Sequence, residues 1–208
     1  MAAANEKQWR EFWQRLGAHG DAMMPWQELR AAYTEPWRAY HNLGHIGHCL
    51  EEFAAVRKLA NDPLSIEVAI WFHDVIYDTH GKDNEERSAD FAEAVLRKAG
   101  QPKSFTEAIR DLILATKHQA QPAANDARLL VDIDLAILGQ PLERYTEFEQ
   151  QIRREYAWVS NPDFAAGRSA ILNGFLNRER IFASPDFIQK YEQPARANLT
   201  WAIKRLAR

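Results

Sequence analysis

The chain has 208 residues, a net charge of −3 and one cysteine, Cys49. That length suits one large domain with a sizeable core. A single thiol excludes an internal disulfide framework, and the slight acidity excludes nucleic-acid binding driven by overall charge.

The opening residues, MAAANEKQWREFW, have no apolar run behind a basic one, so no secretory signal is expected. No apolar run approaches the roughly 20 residues of a membrane span. A cytoplasmic protein without a membrane or nucleic-acid partner is the expectation. The basic C-terminal stretch from Lys204 to Arg208 is too short to argue otherwise.

Helical spacing recurs between clusters of Pro, Gly, Asn and Asp, and alternating strand patterns are absent. Residues 40–53, YHNLGHIGHCLEEF, read as a helix with His41 and His45 one turn apart on one face. Leu43, Ile46, Leu50 and Phe53 form its apolar stripe, with His45 at the stripe's edge near Cys49. His48 falls on the far side and is expected in solvent.

Asp62-Pro63 opens the next helix with a capping acceptor and a proline in the first turn. It contains SIEVAIWFHDVIYD, residues 65–78, which leaves no polar face around His73 and Asp74. A helix apolar all round is buried, and a carboxylate inside it needs a partner or a metal. A His–Asp pair that only ties helices together is the competing reading.

Asp83-Asn84-Glu85-Glu86 opens a helix that Gly100-Gln101-Pro102 closes. Ser104-Phe105-Thr106-Glu107 reads as a capping box. Asp126 is expected to cap the helix that holds ARLLVDIDLAILG, residues 127–139. There Asp134 has Leu130 and Leu138 one turn to either side, which points it into the core. Asp132 has Arg128 and Ala136 at those offsets, the more polar side. Helices follow at 142–159 and 162–182, and a last one after Ser184-Pro185 is interrupted at Pro194. The expected architecture is all-α: one helical bundle over 1–208 with roughly seven to nine helices. Its site-bearing core lies at about 38–139, and the helices of 142–208 pack on it.

His45, His73, Asp74 and Asp134 thus direct two imidazoles and two carboxylates inward from three helices. These donors suit a divalent Mn, Mg, Fe, Co, Ni or Zn ion. So few protein ligands leave coordination positions open, as catalytic sites do. Arg38, just before the histidine helix, is a candidate bidentate phosphate clamp. Lys117 and His118 can meet a phosphate, or simply suit the C-terminus of their helix. Glu85 can hold a water at the site, or simply serve its helix N-terminus. Asp78, one turn beyond Asp74, stands in the same position.

This ordered set, His, then His-Asp, then Asp, on an all-helical chain resembles the HD-domain superfamily of metal-dependent phosphohydrolases. With NEERSA at 84–89 and DIDLAILG at 132–139, the chain looks like a bacterial group of predicted HD phosphohydrolases. Tyr40-His41-Asn42-Leu43-Gly44-His45 is also similar to the HNxxH motif of the superfamily's cyclic-nucleotide phosphodiesterases. The resemblance implies that His41 protonates the leaving group and that His45, His73, Asp74 and Asp134 bind the metal. It gives Asp74 a catalytic part as well, since the superfamily permits it to bridge to a second, weaker ion. The implied reaction is cleavage of a phosphoester by a metal-activated water, on a nucleotide or another small phosphorylated metabolite. The chain is shorter than the phosphodiesterases and has no recognisable purine-clamping segment, so a cyclic nucleotide is not implied. The alternative is a non-catalytic, metal-containing module that senses a ligand.

Overall fold

Asn5 begins the first helix. Its side chain accepts from the Gln8 amide at 3.1 Å, and the Gln8 side chain accepts from the Asn5 amide at 3.1 Å. This reciprocal pair satisfies two amides that have no partner inside the helix. The computed structural model describes residues 2–207. Met1 and Arg208, which end the N-terminal and basic C-terminal stretches read above, lie outside the described residues. The described residues form ten α-helices and no strand. In order these are α1 (Glu6–Arg15), α2 (Met23–Tyr33), α3 (Leu43–Val56), α4 (Pro63–Phe72), α5 (Asn84–Lys98), α6 (Lys103–Ala115), α7 (Asn125–Leu135), α8 (Leu142–Glu155), α9 (Asn161–Leu176) and α10 (Pro185–Leu206). The all-α expectation holds. The count exceeds seven to nine because residues before 40, left unassigned from the sequence, supply α1 and α2.

The chain divides into two compact units, residues 1–133 and 134–208, and the division falls inside α7. In the first unit α4 is central and packs against α3, α5 and α6. Ile66, Val68, Ala69, Ile70, Trp71 and Phe72 are all completely buried. Trp71 meets Trp9 of α1 edge-on, with ring centroids 5.3 Å apart. Burial on every side explains why α4 has no polar stripe. Its one charged residue is Glu67, also buried, whose carboxylate pairs with Arg15 and with Arg57 at 2.7 Å.

Several expected helix ends are different. α6 starts at Lys103 after Pro102, with no side-chain cap, so Ser104 does not form the expected box. Asp126 lies in the first turn of α7 rather than before it. Its carboxylate instead accepts from the amides of Asn61 and Asp62, both at 2.8 Å.

In the second unit, α8 and α9 pack on α10, as does the 3-10 turn Ala136–Gly139. Asn198 of α10 donates to the carbonyls of Leu138 and Gln140, both at 2.8 Å. A Cβ at Gly139 would lie only 2.6 Å from Tyr191 Cβ, so this position cannot carry a side chain without moving α10. Pro194 does not interrupt α10, which runs on to Leu206. Glu192 and Arg196, on either side of Pro194, hold the preceding loop. Glu192 accepts from the amides of Ile181 and Phe182, and Arg196 donates to the carbonyls of Leu176, Arg178 and Glu179.

Candidate metal centre

α3 begins later than its sequence suggests. Asn42 is the N-cap and accepts from Gly44 N at 2.8 Å, so His41 precedes the helix and is not on its face. The His41 ring is instead stacked on Tyr77, with centroids 4.0 Å apart, and lies 5.9 Å from the His45 ring. His45 is in the first turn of α3 and buried. Cys49, one turn on, places its Sγ 3.7 Å from His45 Nδ1. His48 is buried too, with Nε2 3.6 Å from Glu52, so the expectation of a solvated histidine fails. The polar partner one turn away on the same helix makes this burial tolerable.

α4 ends at Phe72, earlier than expected, and His73 is its C-cap. His73 and Asp74 therefore lie at the mouth of a buried helix rather than in its middle. The chain turns because other side chains capture its carbonyls. Tyr33 donates to Trp71 O at 3.0 Å, and Arg38 donates to Asp74 O at 2.6 Å and Val75 O at 2.8 Å. Helix-end carbonyls without a partner inside the helix need such donors.

The result is a tight triangle. His45 Nε2 and His73 Nε2 are 3.1 Å apart, and Asp74 Oδ2 is 3.4 Å from the first and 3.1 Å from the second. His73 Nδ1 faces the carbonyl of Ile70 at 3.0 Å. That contact favours a proton on Nδ1, and Nε2 then faces the triangle, where it donates to Asp74 when protonated and offers a lone pair to an ion when not. Metal–ligand bonds of about 2.0–2.2 Å place neighbouring donors roughly 2.8–3.6 Å apart in octahedral or tetrahedral geometry. All three edges fit, so these residues can hold a metal ion. The same lengths are also those of hydrogen bonds, so shared protons can tie the three groups together when no ion is bound. Burial alone would raise the Asp74 carboxyl. The neighbouring His73, with hydrogen bonds from both imidazoles, instead holds it well below the usual carboxylate range.

Asp134 lies in the last turn of α7, within the second unit. It is half-buried, whereas Asp132 is 1 % exposed. The sequence reading of this helix is thus reversed as regards burial. Ala136, taken to mark the polar side, is itself completely buried, and an alanine gives no polar face.

The remaining candidates are accounted for differently. Arg38 is buried, with Nε on Glu35 at 2.8 Å, Nη1 on His41 O and Asp74 O, and Nη2 on Val75 O. Four of the five guanidinium N–H groups are in use, and a bidentate phosphate clamp needs two. Lys117 pairs with Glu86, which keeps its amine above and the Glu86 carboxyl below the ordinary values. Glu85 lies half-buried beside this pair at the start of α5. His118 follows Lys117 in the left-handed region at φ +56°, two residues past the Thr116 C-cap of α6. Lys117 and Glu86 thus join the end of α6 to the start of α5. Asp78 is exposed in the loop before α5, with its Oδ1 on His80 N at 2.9 Å. Tyr77, the stacking partner of His41, has no sequence signal that would have marked it. No helix among the described residues is long and apolar enough to cross a membrane. Compared with protein-family models, with curated proteins and with solved structures, the chain matches none.

Proposed function

We propose that the chain is a metal-dependent phosphohydrolase of the HD type, acting on a nucleotide or another small phosphorylated metabolite. The observation that supports this most is the triangle of His45, His73 and Asp74, with the His41 ring beside it. A divalent ion bound there supplies Lewis acidity toward a phosphoryl oxygen and an attacking water. Mn, Mg, Fe, Co, Ni and Zn all suit two imidazoles and carboxylate oxygen. The depressed Asp74 carboxyl stays ionised throughout the neutral range and so remains a competent ligand. His41 precedes α3, half-buried and in contact with Tyr77, where its ring can hand a proton to a departing alkoxide.

The test is elemental analysis of the purified protein, followed by hydrolysis of a panel of phosphate mono- and diesters with and without a chelator. Phosphate release that a chelator stops and a divalent ion restores is the expected result. Metal uptake without hydrolysis of any phosphoester would favour the sensing module instead. Absence of both would sink the proposal.

A further inference from the structure

Arg38 is a cation withdrawn from water, its side chain only 1 % exposed. Such burial is costly unless every part of the charge is engaged. Its planar fork reaches two separate segments. Nη1 donates to His41 O at 3.2 Å and to Asp74 O at 2.6 Å, and Nη2 donates to Val75 O at 2.8 Å. The guanidinium lies 5.3 Å from the Tyr33 ring and 5.6 Å from the Tyr77 ring, and Tyr77 is the ring on which His41 stacks. Glu35 holds the remaining edge through Nε. One rigid group therefore joins the backbone of the residue read as the acid to that of a residue read as a ligand.

We propose that Arg38 is a positioning residue, which locks the backbones of His41 and Asp74 into one frame and so sets the acid against the metal triangle. This rests on the reading of the site given above. A lysine keeps the charge but carries its donors on one atom, so it cannot bridge carbonyls on two segments with a planar fork.

Arg38→Lys is the test variant, with folding checked by its melting curve. Three readouts are compared with wild type: Co²⁺ affinity, the leaving-group dependence of phosphate-ester hydrolysis, and the His41 ring resonances. Co²⁺ affinity is expected to fall about 10–100-fold, the range for residues that orient ligands. Turnover should fall more with phenyl phosphate than with p-nitrophenyl phosphate, because the poorer leaving group depends more on a well-placed acid. The His41 resonances should lose the ring-current displacement from Tyr77. A folded Arg38→Lys protein with wild-type values for all three overturns the inference. If that variant does not fold, Glu35→Gln takes its place. It releases one edge of the guanidinium and should move the same readouts less far; unchanged values overturn the inference equally. A wild-type protein that takes up no Co²⁺ sinks the reading of the site instead, and the His41 resonances then decide the positioning role alone.

Discussion

His45 and His73 are 28 residues apart in sequence, yet their Nε2 atoms lie 3.1 Å from each other. One is in the first turn of α3 and the other ends α4, two helices that pack together in the first unit. Two imidazole nitrogens aimed at one point have little reason to meet there unless a proton or a metal sits between them.

Metal loading should therefore stabilise the protein. At a free ion concentration of 100 times Kd the gain is about 2.7 kcal/mol, or roughly 5–10 °C in Tm for a chain of this size. His73→Ala should remove this response, and His48→Ala should keep it, because His48 pairs with Glu52. Differential scanning calorimetry of the chelated and reloaded proteins makes the comparison. Equal metal-induced shifts in wild type and His73→Ala would mean the ion binds elsewhere.

His41→Ala should leave metal affinity close to wild type and lower turnover by roughly 10²–10⁴-fold, the usual contribution of a general acid. The loss should be smaller for p-nitrophenyl esters. Isothermal titration alongside steady-state kinetics separates the two effects. If this variant loses metal as His45→Ala does, His41 is a ligand and not the acid.

Asp132 and Asp134 should divide stability from metal binding. Asp132 is completely withdrawn from solvent and must satisfy its oxygens internally. Asp132→Asn should therefore destabilise the fold by about 1–3 kcal/mol. For Asp134→Asn the metal titration is the deciding readout, and weaker binding is the outcome that the superfamily resemblance implies. Chemical denaturation and a metal titration of both variants check this, and the opposite assignment of effects would make Asp132 the ligand.

The carboxylate of Glu67 and its two arginines should respond asymmetrically. The Glu67 side chain is 7 % exposed, but those of Arg15 and Arg57 are 48 % and 40 % exposed. Glu67→Met frees two cations that can return to water, so its cost should stay below about 1 kcal/mol. The double change Arg15→Met and Arg57→Met leaves a buried anion without cations and should cost about 3–5 kcal/mol. Urea titrations showing equal losses would contradict this.

Helix class and most helix positions were legible because apolar residues recur with helical period and Pro, Gly and Asp punctuate them. His73 and Asp74 were legible for a different reason, as ionisable residues inside a run with no polar face, and His45 from its place at the edge of an apolar stripe. The early end of α4 was not legible. Nothing in WFHDVIYD breaks a helix; the turn comes from Arg38 and Tyr33, donors far from it in sequence. The burial of Asp132 was misread because offsets of four residues describe a helix's own neighbours and not what packs over them. Pro194 misled in the opposite sense. A proline removes one amide and crowds one carbonyl, and the surrounding contacts of α10 absorb that loss.

Gly139 and Tyr191 carry a consequence for how this chain can diverge. The Tyr191 ring and Cβ occupy the space a side chain at 139 would need, and the Tyr191 hydroxyl accepts from Gln140 Nε2 at 3.1 Å. Replacing Gly139 alone forces an overlap, and shrinking Tyr191 alone opens a void beside the rings of Phe182 and Phe187. Each single step is disfavoured, whereas the paired exchange of a larger residue at 139 for a smaller one at 191 conserves volume. In diverged copies of this chain the two positions should therefore covary, changing together or not at all.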